Sequence, residues 1–189
     1  MLPLFPKPSE SRPKETVMKD AIKKMKELAT KHHEGQLRKD DKTPYIEHPK
    51  AVVAQLKKWG YDKGDDAWVL AVAWGHDLLE DTECTEQEIR DACGDYADKV
   101  LEGIRLLTRD KEIFPVKNDY ICNVAEKAPL PLLAVKIADR LCNTRDFLAL
   151  GRKEKAHAYF LAGTPLFDAP TLTDARIVRS IRHTQIIVS

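Results

Sequence analysis

Apolar residues recur at three- and four-residue steps from Met18 through Ala21, Ile22, Met25, Leu28 and Ala29 to His32, which predicts a helix from about Thr16 to Lys31. Gly35 suits the C′ position beyond its end. The next segment, GQLRKDDKTPYIEHP, is polar, contains Pro44 and paired Asp and Lys residues, and reads as a loop. Pro49 suits the first residue of a second helix that runs to Gly60. In DDAWVLAVAWGHDLLED, Asp65 and Asp66 are candidate N-caps of a helix that is apolar nearly all round, the pattern of a central element buried on most sides. Thr85 and Glu88 form a capping box for a short helix closed by Gly94, and DYADKVLEGIRLLT has the amphipathic spacing of another. KNDYICNVAEKA and LPLLAVKIADRLCNTRDFLAL supply two more, the last closed by Gly151. Beyond Gly163, TPLFDAP breaks the pattern, and the residues after it suit either a helix or a peripheral arm. Period-two alternation is nearly absent, so the predicted class is all-α.

A chain of 189 residues is long enough for one domain with a well-buried core. The expected division is a loose arm over 1–15, a helical domain over 16–163 and an extension over 164–189. The arm is broken by prolines and lacks the apolar stretch of a signal peptide, and no run approaches the ~18 apolar residues of a membrane span. With 31 Lys and Arg against 30 Asp and Glu, no overall field selects nucleic acid or an anionic membrane. Cys84, Cys93, Cys122 and Cys142 lack CxxC spacing and disulfide-scaffold density, which fits reduced thiols in a soluble, cytoplasmic protein.

The stretch WGHDLLEDT places His76, Asp77, Glu80 and Asp81 at the end of the most apolar run. On a continuous helix at ~100° per residue they span an arc of about 140°. Three carboxylates near the negative end of a helix repel one another unless a cation sits among them, and a divalent metal meets that need. Taken alone, the cluster equally suits a solvated helix end with His76 packed beside Trp74. Asp139 adds weight: it interrupts the apolar helix VKIADRLCNTRD with Asn143 one turn on, although Lys136 or Arg140 would also serve as a purely structural partner. With His48, these residues make a set of two imidazoles and two carboxylates, His48, His76, Asp77 and Asp139, suited to Mn²⁺, Fe²⁺ or Zn²⁺ with positions left open.

Three motifs, HxGQxRK…PYIEHP over His33 to Pro49, HDLLEDT over His76 to Thr82 and KIADRLCN over Lys136 to Asn143, occur in the order and spacing found in RelA/SpoT-type alarmone enzymes. The chain resembles their hydrolase domain, within the HD-domain metal phosphohydrolases, and is most similar to the small stand-alone alarmone hydrolases. The resemblance covers about Ala21 to Phe160 and implies an all-α HD bundle. It implies that His48, His76, Asp77 and Asp139 hold one divalent metal, usually Mn²⁺ in this family, and that Glu80 and Asp81 handle the attacking water and the leaving oxygen. It further implies that Arg38, Lys39, Asn143 and Tyr159 contact a guanine nucleotide. His33 matches a position that is not a metal ligand. Thr144 and the loop RKDDKTPYI depart from the family's common pattern.

The expected reaction is removal of the 3′-diphosphate of ppGpp or pppGpp, which releases pyrophosphate and GDP or GTP. The alternatives are an HD phosphohydrolase acting on a nucleoside mono- or triphosphate, and a helical module that binds nucleotide or metal without turnover. No nucleic-acid or membrane partner is expected, and the sequence does not specify an oligomeric state.

Overall fold

The computed structural model describes residues 14–189. The expected arm over 1–15 therefore lies outside the described residues except for Lys14 and Glu15, which open the first helix. That helix, α1 (Lys14–His32), begins two residues earlier than the apolar stripe predicts, with Lys19 bonded to Glu15 at 2.6 Å one turn away. It buries Met18, Ala21, Met25 and Ala29. The following loop returns on itself through a single antiparallel bridge between Leu37 and Pro44 and leads into α2 (Glu47–Lys58). The described residues form no strand beyond that bridge, as the missing period-two pattern predicts.

Pro49 does not open α2. The helix starts at Glu47, the first α-type bond runs from Lys50 N–H to Ile46 carbonyl, and Pro49 occupies the first turn, where its missing N–H leaves no intrahelical bond unmade. His48 is consequently a helical residue with its side chain fixed by the first turn.

The central apolar run also differs from the expected single helix. A 3₁₀ turn over Gly64–Asp66 precedes α3 (Val69–Gly75), and neither Asp65 nor Asp66 caps it. The helix breaks at His76 and Asp77 and resumes as α4 (Leu78–Asp81). The break has a local cause: His76 Nδ1 bonds the Ala73 carbonyl at 2.8 Å, and that carbonyl is the acceptor Asp77 N–H would take in a continuous helix. Every residue of α3 is buried. A side chain at Gly75 would bring a Cβ within 2.5 Å of Met25 and 2.8 Å of Ile104, so glycine permits the close packing just before the break.

The capping box forms as predicted: Thr85 Oγ1 accepts from Glu88 N–H and Glu88 accepts from Thr85 N–H at the start of α5 (Glu86–Cys93). Then come α6 (Ala97–Leu107), α7 (Lys117–Lys127), the long α8 (Leu130–Ala149) and α9 (Lys153–Leu161). The short α10 (Thr164–Phe167) precedes α11 (Ala175–Val188), whose N-cap Asp174 accepts from Arg176 N–H. α3 is the axis of the bundle, with α1, α2, α6 and α8 packed around it and α9 and α11 against α8. The undecided C-terminal stretch is thus a packed helix, pinned to the end of α2 by Trp59 Nε1 donating to Ser180 Oγ at 2.9 Å. No described helix is long and apolar enough to cross a membrane.

Removal of the α5 cap tests the local argument. Thr85→Ala should lower unfolding stability by about 1 kcal/mol in urea denaturation without loss of helical signal in the folded state.

Candidate metal centre and adjoining cavity

The broken central helix, the first turn of α2 and the middle of α8 bring His48, His76, Asp77 and Asp139 to one buried point. His48 Nε2 donates to Asp139 Oδ1 at 3.1 Å and lies 3.8 Å from Asp77 Oδ2. His76 Nε2 lies 3.1 Å from Asp77 Oδ2 and 4.0 Å from Asp139 Oδ1. The two imidazole rings are 5.3 Å apart. Because Nδ1 of His76 serves the Ala73 carbonyl, its Nε2 is the free nitrogen, and it is buried with no hydrogen-bond partner despite the nearby carboxylates. An imidazole nitrogen that faces two carboxylates without a well-directed hydrogen bond to either is a position a divalent cation would satisfy once its proton is lost, and the N/O donor set fits a metal of the Mn²⁺, Fe²⁺ or Zn²⁺ kind. His48, His76 and Asp77 alone place their donor atoms within 4.8 Å of one another.

The electrostatics agree with the fit. Burial works against both carboxylates, yet His76 holds Asp77 well below the usual range, and Lys136 together with His48 does the same for Asp139. Lys136 Nζ is 3.4 Å from Asp139 Oδ2, so the structural pairing considered from the sequence is present, whereas Arg140 turns away to the Tyr159 carbonyl. Burial lowers the His76 pKa, but the Asp77 charge outweighs it and pushes it up to about 9.

Tyr45 was not singled out by its sequence, although it lies inside PYIEHP. Its hydroxyl is 2.7 Å from Asp77 Oδ2 and 3.1 Å from Asp81 Oδ2, so one donor serves a candidate ligand and a candidate proton handler. Burial and both carboxylates push its pKa well up, which keeps it a neutral donor. His33 stacks on its ring at 4.5 Å and bonds Gln36, whose amide donates to the Asp81 carbonyl. His33 therefore supports the site from behind. A neutral tyrosine whose only signal is a place in the loop has no periodicity or charge pattern to mark it.

A cavity of about 470 Å³ opens beside the cluster. Asp77, Glu80, Asp81 and Asp139 line one part of it, and Arg38, Lys39, Lys117, Lys136, Arg140 and Lys155 supply cationic side chains in the same wall. No motif or spacing marks Lys117 or Lys155, since each is an ordinary surface-type lysine until α7 and α9 are placed. Arg38 and Lys39 both donate to Asn143 Oδ1 at 2.9 Å, and Arg38 also pairs with Asp146. Asn143 Nδ2 in turn donates to Asp139 Oδ1. Lys39 sits 4.3 Å over the Phe147 ring, and the Arg140 guanidinium lies 4.1 Å over Tyr159. Glu80 faces the cavity with Oε2 3.4 Å from Arg109 N. All ten residues expected at the site lie on it or, for His48 and His76, directly behind its carboxylates.

Residues 26–167 match a family model described as an HD domain. A protein of Streptomyces coelicolor named GTP pyrophosphokinase is 32% identical over 136 residues, 71% of this chain and 16% of its own length. The guanosine-3′,5′-bis(diphosphate) 3′-pyrophosphohydrolase of Aquifex aeolicus is 31% identical over 137 residues, 72% of this chain and 19% of its own length. The bifunctional (p)ppGpp synthase/hydrolase SpoT of Escherichia coli is 32% identical over 133 residues, 67% of this chain and 18% of its own length. The chain thus spans less than a fifth of these relatives. A solved structure, described as a metazoan ortholog of SpoT that hydrolyzes ppGpp, superposes with a TM-score of 0.72 at 22% identity, covering 93% of this chain and 96% of that one, and has the same fold.

Two outcomes are expected. Raised to about 9, the His76 pKa contributes stability to the metal-free protein that is complete below 6.5 and lost as pH rises through 9. A metal must displace that proton, so divalent-ion affinity should rise about tenfold per pH unit up to pH 9, with net proton uptake by the buffer in calorimetry. Tyr45→Phe should cost about 1.5–3 kcal/mol of stability, since it removes a hydrogen bond to charged acceptors, as read by thermal or urea unfolding.

Proposed function

We propose, from the premise that this chain belongs to the HD domain family, that it is a metal-dependent phosphohydrolase that removes the 3′-diphosphate of ppGpp or pppGpp and releases pyrophosphate with GDP or GTP. The observation that carries the reading is the cavity itself, in which a buried two-imidazole, two-carboxylate cluster adjoins a wall of cations. The names of the relatives from Aquifex aeolicus and Escherichia coli support the same reaction. In this reading residues 16–163 are the hydrolase domain, and 164–189 are an extension packed on it. The free cysteines fit a reducing, cytoplasmic compartment.

His48, His76, Asp77 and Asp139 are the assigned ligands of the metal, taken to be Mn²⁺. When bound, the ion supplies Lewis acidity and a nucleophile at neutral pH. The protein's own groups do the rest. Water attacks the phosphorus bonded to the ribose 3′-oxygen, that P–O bond breaks, and the proton released by the water ends on the departing ribose oxygen. Glu80 and Asp81 are the carboxylates assigned to carry that proton, with Tyr45 fixing Asp81 in orientation. Lys39 and Asn143 are assigned to the ribose and phosphate region, and Tyr159 lies under Arg140 where a planar or anionic group would meet both. Lys117 and Lys155 add positive charge that offsets the phosphates and the growing charge on their oxygens.

Incubation of the purified chain with ppGpp and Mn²⁺, followed by separation of products, should yield GDP and pyrophosphate in equal amounts. Release of inorganic phosphate alone, or turnover only of nucleoside mono- or triphosphates, would reject the alarmone reading and favour another nucleotide. Glu80→Gln and Asp81→Asn should each lower kcat by ~10²–10⁴-fold while metal content is retained. Arg38→Ala should cripple ppGpp turnover because the bonds that fix Asn143 and Asp146 are lost with it.

A further inference from the structure

A second mixed cluster of metal-binding side chains lies outside the cavity. His32, the last residue of α1, Cys84, in the turn before α5, and Glu88, in the first turn of α5, each offer one donor atom, and the three atoms lie within 4.8 Å of one another. His32 Nε2 and Glu88 Oε1 are already 3.0 Å apart. Their side chains are 13% and 33% exposed, and Cys84 is 7% exposed, so the point is reachable yet sheltered. These are the two clusters of this kind among the described residues, and only this one contains sulfur.

We propose that His32, Cys84 and Glu88 form a second divalent-metal site, selective for a thiophilic ion such as Zn²⁺, which ties the end of α1 to the start of α5. The donor set is an imidazole, a thiolate and a carboxylate, leaving a fourth tetrahedral position for water. Zinc bonds of about 2.3 Å to sulfur and about 2.0–2.2 Å to nitrogen and oxygen need donors ~3.3–3.7 Å apart, so modest side-chain shifts close the site. The existing contacts do not prevent it. Lys31 Nζ, 3.1 Å from Glu88 Oε1, belongs to a side chain that is 69% exposed and free to swing into water. The capping bond from Thr85 N–H uses the other oxygen, Oε2, so the helix cap and the metal have separate acceptors. Cys84 Sγ is engaged only by a weak 3.7 Å contact to the Thr85 carbonyl. Burial and the Glu88 charge push the Cys84 thiol up to about 11, so it carries its proton at neutral pH. On binding, the metal–sulfur bond forms as that proton passes to the solvent.

The site is independent of the reading of the HD centre, whose donors are nitrogen and oxygen only. Cobalt reports the difference. The full chain, kept reduced, is loaded with Mn²⁺ and then titrated with Co²⁺. A thiolate-to-cobalt charge-transfer absorption should grow in the near ultraviolet and saturate at about one thiolate-bound ion per chain. Cys84→Ser should abolish it, whereas Cys93→Ser and Cys142→Ser should retain it. Glu88→Gln keeps an acceptor for Thr85 N–H but loses the charge, and should weaken binding at least as much as the ~10–100-fold that loss of an outer-shell partner costs. Zn²⁺ should also raise the Tm of the wild type above that of Cys84→Ser at the same concentration. Absence of the band in the wild type, its survival in Cys84→Ser, or equal Zn²⁺ shifts in both proteins would overturn the proposal.

Discussion

Two carboxylates held in a nearly dry pocket are the constraint around which this molecule is arranged. Asp77 and Asp139 come from elements far apart in sequence, and burial by itself would drive each toward the neutral form. They stay charged because cationic or proton-donating neighbours are packed against them: His76 beside Asp77, and His48 and Lys136 beside Asp139. Those neighbours require the α2 turn, the interruption of the central helix and the middle of α8 to meet at one place. The apolar packing of α3 with α1, α2, α6 and α8 secures that meeting. Loss of one partner would leave an uncompensated buried charge, the costly outcome for any such group.

The same logic organises the cavity. Acidic side chains gather where the imidazoles are, and Lys39 from the loop before α2, Lys117 from α7, Arg140 from α8 and Lys155 from α9 line the same cavity. Neither set is stable in isolation, since like charges in a confined space repel. Gathered around one cavity, the two sets offset each other's charge, which suits a ligand carrying both anionic phosphate and an affinity for a cation. The aromatic rings of Phe147 and Tyr159 underlie the basic groups and let Lys39 and Arg140 stay near the wall rather than extend into water.

Much of this was legible in the sequence, and the misses share a physical cause. Long amphipathic stretches announced α1 and α6 because one-sided burial imposes a 3.6-residue period on them, whereas α8, buried nearly all round, was marked by the length of its apolar run. The Thr85 cap was readable because its two bonds join residues three apart. The interruption at His76 was not, since it arises from one side chain taking a backbone carbonyl, an event that leaves the apolar pattern unchanged. The start of α2 was displaced for a related reason: proline is equally at home at several places in a first turn. The candidate ligands were visible as residue types in three motifs, whereas Tyr45, Lys117 and Lys155 gain meaning only through neighbours that folding brings to them.

The amide of Asn143 is occupied at both ends. Its oxygen receives Arg38 and Lys39 from the loop before α2, and its nitrogen holds the Asp139 carboxylate on its own helix. A rigid planar group of this kind cannot turn at one end without turning at the other. Any molecule that draws the two basic side chains toward itself therefore pulls on the orientation of a buried acid some residues away, and whatever that acid holds pulls back with equal thermodynamic weight. One asparagine thus makes the loop and the buried centre answer to each other.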